Sequence, residues 1–443
     1  MQRGRIDIIS LGCSKNLVDS ERLLRRLEAK GYTAEHDAET PCGEWVVVNT
    51  CGFIQDAKEE SINILLDLAD MKREGKIGKI AVMGCLSERY KAELPDEMPE
   101  VDRWYGKFDW NQFLEELGTR DKGQGTRAAD NENEKDVKPW ERRRTTPPYS
   151  TYLKISEGCN RFCAFCAIPI ITGRHHSRPM EEILEEVRTL VGEGVKEFNV
   201  IAQDLSSYGL DLYGEHRLAQ LVDAMADIPG VEWIRLHYAY PADFPYDILD
   251  VMARRDNVCK YLDIALQHIA NPVLENMRRH ITADETRALL AEIRRRVPGI
   301  KLRTTLMTGF PGEGEEEFAQ LLDFVREQKF DRMGAFAYSE EEDTWAAKNL
   351  EDSIPQDVKE ARLDRLMALQ EEISQELQEK IIGQRVRVLI ERHEGCDAVG
   401  RTQWDSPEVD PEVIVKDCDA EPGTFIDVEI TEAYPFELIG KEL

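Results

Sequence analysis

The sequence predicts a multidomain α/β protein with an N-terminal open parallel α/β domain, a central partial (β/α)6 barrel and a C-terminal all-β barrel of the OB type. Three observations lead to this prediction. Two long stretches alternate strand-like apolar runs with helical patterns, a polar stretch separates them, and the end of the chain contains only short alternating strands. At 443 residues the chain is also long enough for several domains, because single hydrophobic cores stop growing well below this length.

The N-terminal domain is predicted to span residues 1–118. The runs RIDIIS, WVVVN and KIAVMG are typical of buried strands, while DSERLLRRLEAKG and DAKEESINILLDLADMKREG place apolar residues three and four apart, as amphipathic helices do. This alternation favours a largely parallel sheet. Residues 119–146 are polar and charged and show no periodicity, which predicts a flexible linker.

The central domain is predicted to span residues 147–382. Its six strand candidates, TYLKIS, EFNVIA, WIRLHY, YLDIAL, KLRTTLM and MGAFAY, are mostly separated by helical stretches, and a long helical pattern ends the domain. Six βα units are fewer than the eight of a closed barrel, so an open, partial barrel is predicted. Residues 383–443 then show the short strands of a small all-β domain.

The strongly acidic composition limits the possible partners. Lys and Arg number 57 and Asp and Glu 86, which gives a net charge of −29. Nucleic-acid binding usually depends on a basic surface, so this balance favours a basic protein partner over a nucleic-acid substrate. Three short basic clusters, at residues 142–144, 278–280 and 294–296, are expected to be solvated helix faces or linker.

The apolar runs predict no membrane segment. None is long enough to span a bilayer, and the amino terminus lacks the pattern of a secretory signal. We therefore expect a cytoplasmic protein. In that compartment its ten cysteines remain reduced, which favours metal ligands or buried core residues over disulfides.

The segment EGCNRFCAFCAIP contains three cysteines, Cys159, Cys163 and Cys166, with the spacing CxxxCxxC. It directly follows the strand TYLKIS and therefore lies at the C-terminal mouth of the predicted barrel, where active sites of this architecture are found. A closed structural zinc site needs four ligands, and the nearest candidates for a fourth are His175 and His176. Three thiolates would instead leave one iron of a four-iron cluster open to a small molecule. The spacing favours the cluster, with a zinc knuckle as the structural alternative.

Three further cysteines occupy equivalent positions in the N-terminal domain. Cys13, Cys51 and Cys85 each follow the C-terminal end of a predicted strand, and these ends converge in an open parallel sheet. A glycine adjoins each cysteine and permits close approach of the backbone to a ligand. From spacing alone, a second cluster and three separate buried cysteines are about equally compatible with the sequence.

The CxxxCxxC segment, with Phe165 before its last cysteine, resembles the radical S-adenosylmethionine family. The three domains together resemble its methylthiotransferase subfamily over nearly the whole chain, and SLGCSKNLVDSE, NTCGFIQDAKEESI and GCLSERY are similar to the N-terminal motifs of that subfamily. The resemblance implies a C-terminal TRAM domain and two 4Fe-4S clusters. It places the core cluster on the three cysteines of the CxxxCxxC segment and the auxiliary cluster on Cys13, Cys51 and Cys85.

The resemblance also implies the reaction, which is insertion of a methylthio group into an unactivated C–H bond. One S-adenosylmethionine binds the open iron of the core cluster and, after reduction by an electron donor, yields the radical that removes hydrogen from the substrate carbon. A second one methylates a sulfur held at the auxiliary cluster, and the substrate radical takes the methylthio group. No catalytic residue beyond the cluster ligands is implied.

Other candidate residues have less specific signals. Gln203, Gln267 and Thr308 end predicted barrel strands and are candidates for binding the ribose or carboxylate of S-adenosylmethionine, with capping or core roles as the alternative. The run TGFPGEGEEEF, which starts at Thr308, is expected to shape the same pocket. The four cysteines that match no motif are expected to be structural: Cys42, Cys259, Cys396 and Cys418.

Two bacterial branches of the subfamily differ in substrate. One modifies the β-carbon of an aspartate in the twelfth small-subunit ribosomal protein, and the other modifies an isopentenyl-adenosine beside the tRNA anticodon. The segments LGCSKNLVDSE, NTCGFI, AQDLSSYG and RLHYAYP resemble the ribosomal-protein branch, and the tRNA branch is the alternative.

The charge of the C-terminal domain also bears on the substrate. Residues 383–443 contain six basic and fifteen acidic residues, a net charge of −9, whereas an RNA-binding module of this type normally shows a basic face with aromatic side chains. This acidity favours docking of a basic ribosomal protein, with general solubility as the alternative explanation.

A non-catalytic iron–sulfur sensor of redox state is the hypothesis from another functional class. It would use the TRAM domain as an adaptor. The complete CxxxCxxC spacing in a partial barrel argues against it, and cleavage of S-adenosylmethionine to 5′-deoxyadenosine would exclude it.

Overall fold

The computed structural model describes residues 4–121 and 137–443. The chain forms two compact units. The first comprises the described residues up to Pro147 together with Ala167–Arg174, and the second comprises Pro148–Cys166 and His175–Leu443. Among the helices of the described residues, none is both long enough and apolar enough to cross a membrane. The predicted central and C-terminal domains thus belong to one unit.

The first unit is built on a parallel sheet of five strands in the order β2-β1-β3-β4-β5. Its strands are β1 (Arg5–Ser10), β2 (Thr33–His36), β3 (Trp45–Thr50), β4 (Lys79–Gly84) and β5 (Arg103–Trp104). Its described helices are α1 (Ser14–Ala29), α2 (Gln55–Arg73), α3 (Cys85–Tyr90), α4 (Leu94–Glu97), α5 (Trp110–Asp121) and α6 (Ile168–Thr172). The open parallel sheet is confirmed, while the short edge strands β2 and β5 have no clear sequence pattern.

Apolar residues cover both faces of this sheet. Val47 packs in a cluster with Leu24 and Phe113, and the next residue along the strand, Val48, packs in another cluster with Leu65. Successive side chains of a strand point to opposite faces, so both faces of β3 are covered. This explains why the run WVVVN is apolar throughout and not alternating.

The predicted linker at residues 119–146 differs from the structure at both ends. Helix α5 continues to Asp121, and Trp140 is buried. Residues 122–136 lie outside the described residues. The polar composition of the segment therefore does not mark a linker over its whole length.

Two of the three basic clusters contain a buried arginine, which corrects the expectation of solvated faces. Arg142 donates to the Glu21 carboxylate at 2.7 Å, and both side chains are almost fully buried. Arg279 is only 3% exposed. Burying a guanidinium is costly unless an anion or hydrogen-bond acceptors accompany it, so each of these residues has a structural or functional partner.

The second unit contains the predicted partial barrel, a six-stranded parallel sheet in the order β13-β12-β11-β10-β9-β6. Its strands are β6 (Ser150–Lys154), β9 (Glu197–Ile201), β10 (Trp233–Ala239), β11 (Val258–Ile264), β12 (Lys301–Thr308) and β13 (Arg332–Ala337), and a small antiparallel pair is formed by β7 (Ser156–Glu157) and β8 (His176–Ser177). The helices of the unit are α7 (Met180–Gly192), α8 (Leu210–Tyr213), α9 (Leu218–Ala226), α10 (Asp247–Arg254), α11 (Asn271–Asn276), α12 (Ala283–Arg296), α13 (Glu315–Gln328), α14 (Trp345–Asn349) and α15 (Gln356–Glu379).

The C-terminal domain is a closed five-stranded barrel in the order β14-β15-β16-β18-β17. Its strands are β14 (Arg385–Glu394), β15 (Asp397–Thr402), β16 (Glu412–Lys416), β17 (Phe425–Tyr434) and β18 (Glu437–Glu442). All five correspond to the short strands predicted from the sequence. Alternating inward residues such as Val386, Val388 and Ile390 form its core.

The small barrel packs against the N-terminal end of the six-stranded sheet. Glu197, the first residue of β9, accepts hydrogen bonds from Arg401 at 2.7 and 3.1 Å and from Arg235 at 3.0 Å. All three side chains are almost fully buried. Burial alone would raise the pKa of Glu197, but the charges of Arg401 and Arg235 hold it well below the usual range.

Three more polar side chains of the sheet bind carboxylates in the loop between β15 and β16 of the small barrel. Arg332, the first residue of β13, pairs with Asp405 at 2.6 Å. Asp410 accepts from Arg303 and from the Tyr261 hydroxyl, each at 2.9 Å. Because buried ions need partners, these pairs explain why the two predicted domains form one compact unit.

We expect Glu197→Gln to lower the free energy of unfolding by about 3–5 kcal/mol at pH 7, because it leaves two buried arginines without their anion. Because the pKa of Glu197 is lowered in the folded protein, its ion pairs stabilise the fold fully above the unfolded carboxyl pKa of about 4.3. This stabilisation is lost progressively as the pH falls below that value. The difference between variant and parent should therefore shrink at pH 3, which chemical denaturation at both pH values measures.

Arg387→Gln is the matched control. Arg387 pairs with Glu232 at 2.8 Å across the same two domains, but both side chains are exposed, so the loss should stay below about 1 kcal/mol. Equal losses in the two variants would contradict the importance of the buried group.

Candidate functional site

The CxxxCxxC segment forms a loop that begins where β7 ends. Gly158 and Phe162 have positive φ angles of 78° and 49°. The backbone N–H of Ala164 donates to the Met277 carbonyl at 2.9 Å, and the Ala164 carbonyl accepts from the Ala346 N–H at 2.7 Å. Two other segments of the second unit therefore hold the loop, and its three thiols lie beside the carboxyl end of β6.

Polar groups surround two of these thiols. Cys159 is buried, and its Sγ accepts from the backbone N–H of Arg161 at 3.4 Å. Burial raises the pKa of Cys159 to about 12, although that hydrogen bond acts in the opposite direction. The Sγ of Cys163 lies 3.3 Å from Arg279 Nη1 and 3.7 Å from the Tyr240 hydroxyl. Because iron binds the thiolate, cluster binding must displace the Cys159 proton, and at Cys163 the Arg279 guanidinium donates to the sulfur.

The donor set fits a cluster better than a single ion. Across residues 4–121 and 137–443, no three His, Cys, Asp or Glu side chains are arranged to hold one metal ion. A zinc site needs ligands that converge on one point, whereas the thiolates of a four-iron cluster bind different irons. Of the two histidines considered for zinc, His175 has its Nε2 3.1 Å from Ser177 Oγ, and His176 pairs with Glu157 in the β7–β8 ladder. The side-chain contact of His175 disfavours that residue as a fourth zinc ligand.

Gln203 follows β9 and Gln267 follows β11 at the same sheet edge, with β10 between these strands, and both residues fit a polar ligand. The Nε2 of Gln203 donates to Glu157, whose carboxylate also accepts from Lys154 at 2.8 Å. Gln267 has a φ of 70°, which L residues adopt rarely and which often marks functional sites. In both glutamines the amide oxygen is buried and has no hydrogen-bond partner among the described residues. Buried polar atoms are normally satisfied, so these two oxygens suit a ligand such as S-adenosylmethionine.

Thr308 and the glycine-containing run after it are held by internal contacts. The Thr308 hydroxyl is fully buried and donates to the Lys359 carbonyl at 3.1 Å, so its role in cofactor binding stays a prediction. In the following loop, Glu313 accepts from Arg362 at 2.9 Å and lies 3.0 Å from His268 Nε2. A buried charge network therefore fixes this loop without any ligand.

The second set of cysteines lies in the first unit, at the carboxyl ends of the adjacent strands β1, β3 and β4. Cys13 directly precedes α1, and Cys85 begins α3. A Cβ atom on Gly12 would lie 2.7 Å from the Sγ of Cys51, so the Cys51 side chain packs on the Gly12 backbone. Gly12 also has a φ of 86°, which makes glycine the suitable residue there. The sheet thus brings the three cysteines to one edge.

The thiols of this set differ in acidity. Partial desolvation would raise the pKa of Cys13, but the charges of Lys15 and Lys107 and a hydrogen bond from the Asn16 N–H lower it below its usual value. Burial raises the pKa of Cys51. Since metals bind the thiolate, the lowered pKa of Cys13 favours ligation, whereas the raised pKa of Cys51 opposes it.

Asn16 and Lys107 connect the three cysteine loops, and the sequence did not reveal these roles. The Nδ2 of Asn16 donates to the carbonyls of Leu11 and Thr50, at 3.0 and 3.1 Å, which shortly precede two of the cysteines. Its Oδ1 lies 3.7 Å from the Sγ of Cys85. The buried Nζ of Lys107 lies 3.2 Å from the same Oδ1 and 3.9 Å from the same Sγ. A cation beside the thiols suits an anionic cluster.

Three family models match the chain. Residues 5–106 match the uncharacterized protein family UPF0004, residues 153–325 match the radical SAM superfamily, and residues 382–442 match the TRAM domain. The matched segments contain the N-terminal cysteines, the CxxxCxxC loop and the small barrel, in that order.

Curated relatives match from end to end. The protein of Phocaeicola vulgatus is 58% identical over 446 residues and that of Parabacteroides distasonis 56% identical over 444, with 100% of both chains covered in each case. The protein of Flavobacterium johnsoniae is 47% identical over 444 residues, which cover 100% of this chain and 98% of the relative. All three are named ribosomal protein uS12 methylthiotransferase RimO.

Solved structures resemble the chain in fold. The radical S-adenosylmethionine methyltransferase TsrM from Kitasatospora setae, with cobalamin and a 4Fe-4S cluster bound, matches with a TM-score of 0.55 at 16% identity, over 76% of this chain and 75% of that chain. The cobalamin-dependent S-adenosylmethionine radical enzyme OxsB matches with a TM-score of 0.52 at 14% identity, over 84% of this chain and 56% of that chain.

We expect each set of three cysteines to account for about half of the bound iron, because each is predicted to hold one four-iron cluster. Replacing Cys13, Cys51 and Cys85 together by alanine should remove about half of the iron and sulfide from anaerobically reconstituted protein. The control replaces Cys42, Cys396 and Cys418, which match no motif, and should leave both contents unchanged. Unchanged iron in the first variant would show that the second site holds no cluster.

Proposed function

The chain belongs to the RimO family of methylthiotransferases, and we propose that it transfers a methylthio group to the β-carbon of an aspartate in ribosomal protein uS12. As a radical S-adenosylmethionine enzyme of this family it uses two 4Fe-4S clusters and S-adenosylmethionine. The observation that carries the proposal is the pair of separate three-thiol sites in one chain that matches RimO relatives over its whole length. The proposal includes a cytoplasmic location and a separate electron donor.

The residues of the two sites have distinct tasks in this reaction. When bound, the clusters and S-adenosylmethionine supply the radical that removes hydrogen from the substrate carbon and the methylthio group that replaces it. The thiols of the CxxxCxxC loop hold the core cluster, and the unsatisfied amide oxygens of Gln203 and Gln267 offer acceptors to the donor groups of S-adenosylmethionine. In the first unit, Asn16 fixes the backbone around the cysteines that hold the auxiliary cluster.

The acidic surface of the TRAM domain supports docking of a basic ribosomal protein. Exposed carboxylates are concentrated in the loop between β16 and β17, where Asp417, Asp419 and Glu421 follow one another closely. Two aromatic side chains, Tyr434 and Phe436, are exposed on the same small barrel. Opposite charges steer encounter and fix orientation, which suits a basic protein and opposes a nucleic acid.

Docking on this loop can be tested by charge removal. We expect the triple variant Asp417→Asn, Asp419→Asn, Glu421→Gln to lower kcat/KM for uS12 several-fold at low salt and much less at high salt, because salt screens exposed charges. Cleavage of S-adenosylmethionine without uS12 should stay unchanged. The control neutralises three exposed acids on helices of the same unit, Glu316, Asp364 and Glu371, and should have little effect. Equal effects of the two triple variants would contradict a specific dock.

The proposed substrate is tested by competition. Reconstituted and reduced protein is given S-adenosylmethionine together with uS12 and isopentenylated tRNA in one reaction, and both products are examined by mass spectrometry. We expect the methylthio mass gain on an aspartate of uS12 only. The variant without Cys13, Cys51 and Cys85 should still form 5′-deoxyadenosine but no methylthio product. A gain on the tRNA alone would contradict the proposed substrate and leave the two-cluster chemistry intact.

A further inference from the structure

We infer that Arg279 is a positioning residue of the core cluster. It is a buried cation whose counter-charge is the thiolate-ligated cluster, and it raises the reduction potential of that cluster. The inference rests on the core cluster of the proposed function and is independent of the substrate. Arg279 lies in the basic run at 278–280, in the segment between α11 and α12.

The contacts of Arg279 are those of a cation directed at a thiolate. Its Nη1 donates to the Sγ of Cys163 at 3.3 Å, and its Nη2 donates to the Ala265 carbonyl. The Nε is buried and has no partner among the described residues. The side chain is 3% exposed, so water does not solvate the charge in place of the protein.

Tyr240 holds this guanidinium in place. Its ring contacts two cations, with the Arg279 Cζ 4.2 Å and the Arg161 Cζ 4.3 Å from the ring centroid. The Tyr240 hydroxyl donates to the Arg279 carbonyl at 2.8 Å and lies 3.7 Å from the Sγ of Cys163. The aromatic ring therefore restricts Arg279 to an orientation that faces the sulfur.

The two cations differ in their counter-charges. Arg161 pairs with Asp204 at 2.7 Å and with Asp243 at 3.2 Å. Across residues 4–121 and 137–443, no carboxylate forms an ion pair with Arg279; its acceptors are one carbonyl and the Cys163 sulfur. An arginine stays protonated in proteins, and a buried charge without an anion is costly. Ionised Cys163 and its cluster are the anion that this arrangement requires.

The buried charge of Arg279 favours reduction of the core cluster. Reduction of the cluster by one electron adds a negative charge beside the guanidinium. The potential of an iron–sulfur cluster depends on its net charge and on hydrogen bonds to its sulfur atoms. The cation and its hydrogen bond to sulfur therefore stabilise the reduced cluster more than the oxidised one. Arg279 would thus make the difficult reduction that precedes S-adenosylmethionine cleavage less unfavourable.

The test measures the midpoint potential of the core cluster alone. The full-length protein with Cys13, Cys51 and Cys85 replaced by alanine is reconstituted and titrated with dithionite while the EPR signal of the reduced cluster is followed. We expect Arg279→Gln to make reduction about tenfold less favourable, which is a shift of about 59 mV to more negative potential for one electron. Arg279→Lys keeps the charge and should shift the potential less.

Arg332→Gln is the matched control. Arg332 is also a buried arginine, but it pairs with Asp405 at the opposite end of the sheet. Its loss should lower the melting temperature and leave the potential unchanged. An unchanged potential in Arg279→Gln, or equal shifts in Arg279→Gln and Arg332→Gln, would overturn the inference.

The cluster-free protein gives a second readout if Arg279→Gln does not retain its cluster. Without the cluster, the buried charge of Arg279 has no anion and destabilises the fold. We therefore expect cluster-free Arg279→Gln to melt at the same or a higher temperature than its cluster-free parent. Arg279→Lys should still bind iron. Lower melting of cluster-free Arg279→Gln, with loss of iron from both variants, would indicate a packing role and overturn the inference. Absence of iron from the parent protein would instead contradict the core cluster itself.

Discussion

Parallel strands bring their carboxyl ends to one edge of a sheet, and the arrangement of both candidate sites depends on this constraint. In the first unit the adjacent strands β1, β3 and β4 are followed, within three residues, by Cys13, Cys51 and Cys85. In the second unit the edge that carries the CxxxCxxC loop also carries Gln203 and Gln267. Helices α1 and α3 begin at or directly after Cys13 and Cys85, so their first backbone N–H groups, which have no partner within the helix, lie at the sheet edge of the first unit and suit anionic ligands.

The two ends of the six-stranded sheet differ in one respect: besides the paired Glu313 and Arg362, the carboxyl end contains buried polar groups that lack a carboxylate or a hydrogen-bond partner among the described residues. At the N-terminal end, each buried arginine described here meets a carboxylate: Arg235 and Arg401 meet Glu197, and Arg332 meets Asp405. These pairs join the sheet to the TRAM domain. At the carboxyl end, Arg279 faces a thiol, and the amide oxygens of Gln203 and Gln267 have no partner among the described residues. The buried arginines at the N-terminal end are therefore paired within the protein, whereas Arg279 and the two amide oxygens at the carboxyl end are suited to bind ligands.

Much of this architecture can be predicted from the sequence because its signals are local. The apolar runs and their spacing identify three sheets, and a cysteine directly after a strand has its place fixed by that strand. The roles of Asn16, Lys107 and Arg279 depend on contacts between distant segments: Asn16 is 69 residues from Cys85, and Arg279 is 116 residues from Cys163. Arg279 and Arg142 resemble solvated residues in sequence because nothing local distinguishes a buried arginine from an exposed one.

The central claim, that a radical formed by this protein removes hydrogen from the β-carbon of an aspartate, is tested most directly by isotope transfer. The measurement uses uS12 with deuterium at the β-carbon of its aspartates and follows both products of one turnover by mass spectrometry. We expect deuterium in 5′-deoxyadenosine in proportion to methylthiolated uS12. Methylthiolated protein accompanied by unlabelled 5′-deoxyadenosine would contradict hydrogen removal from that carbon.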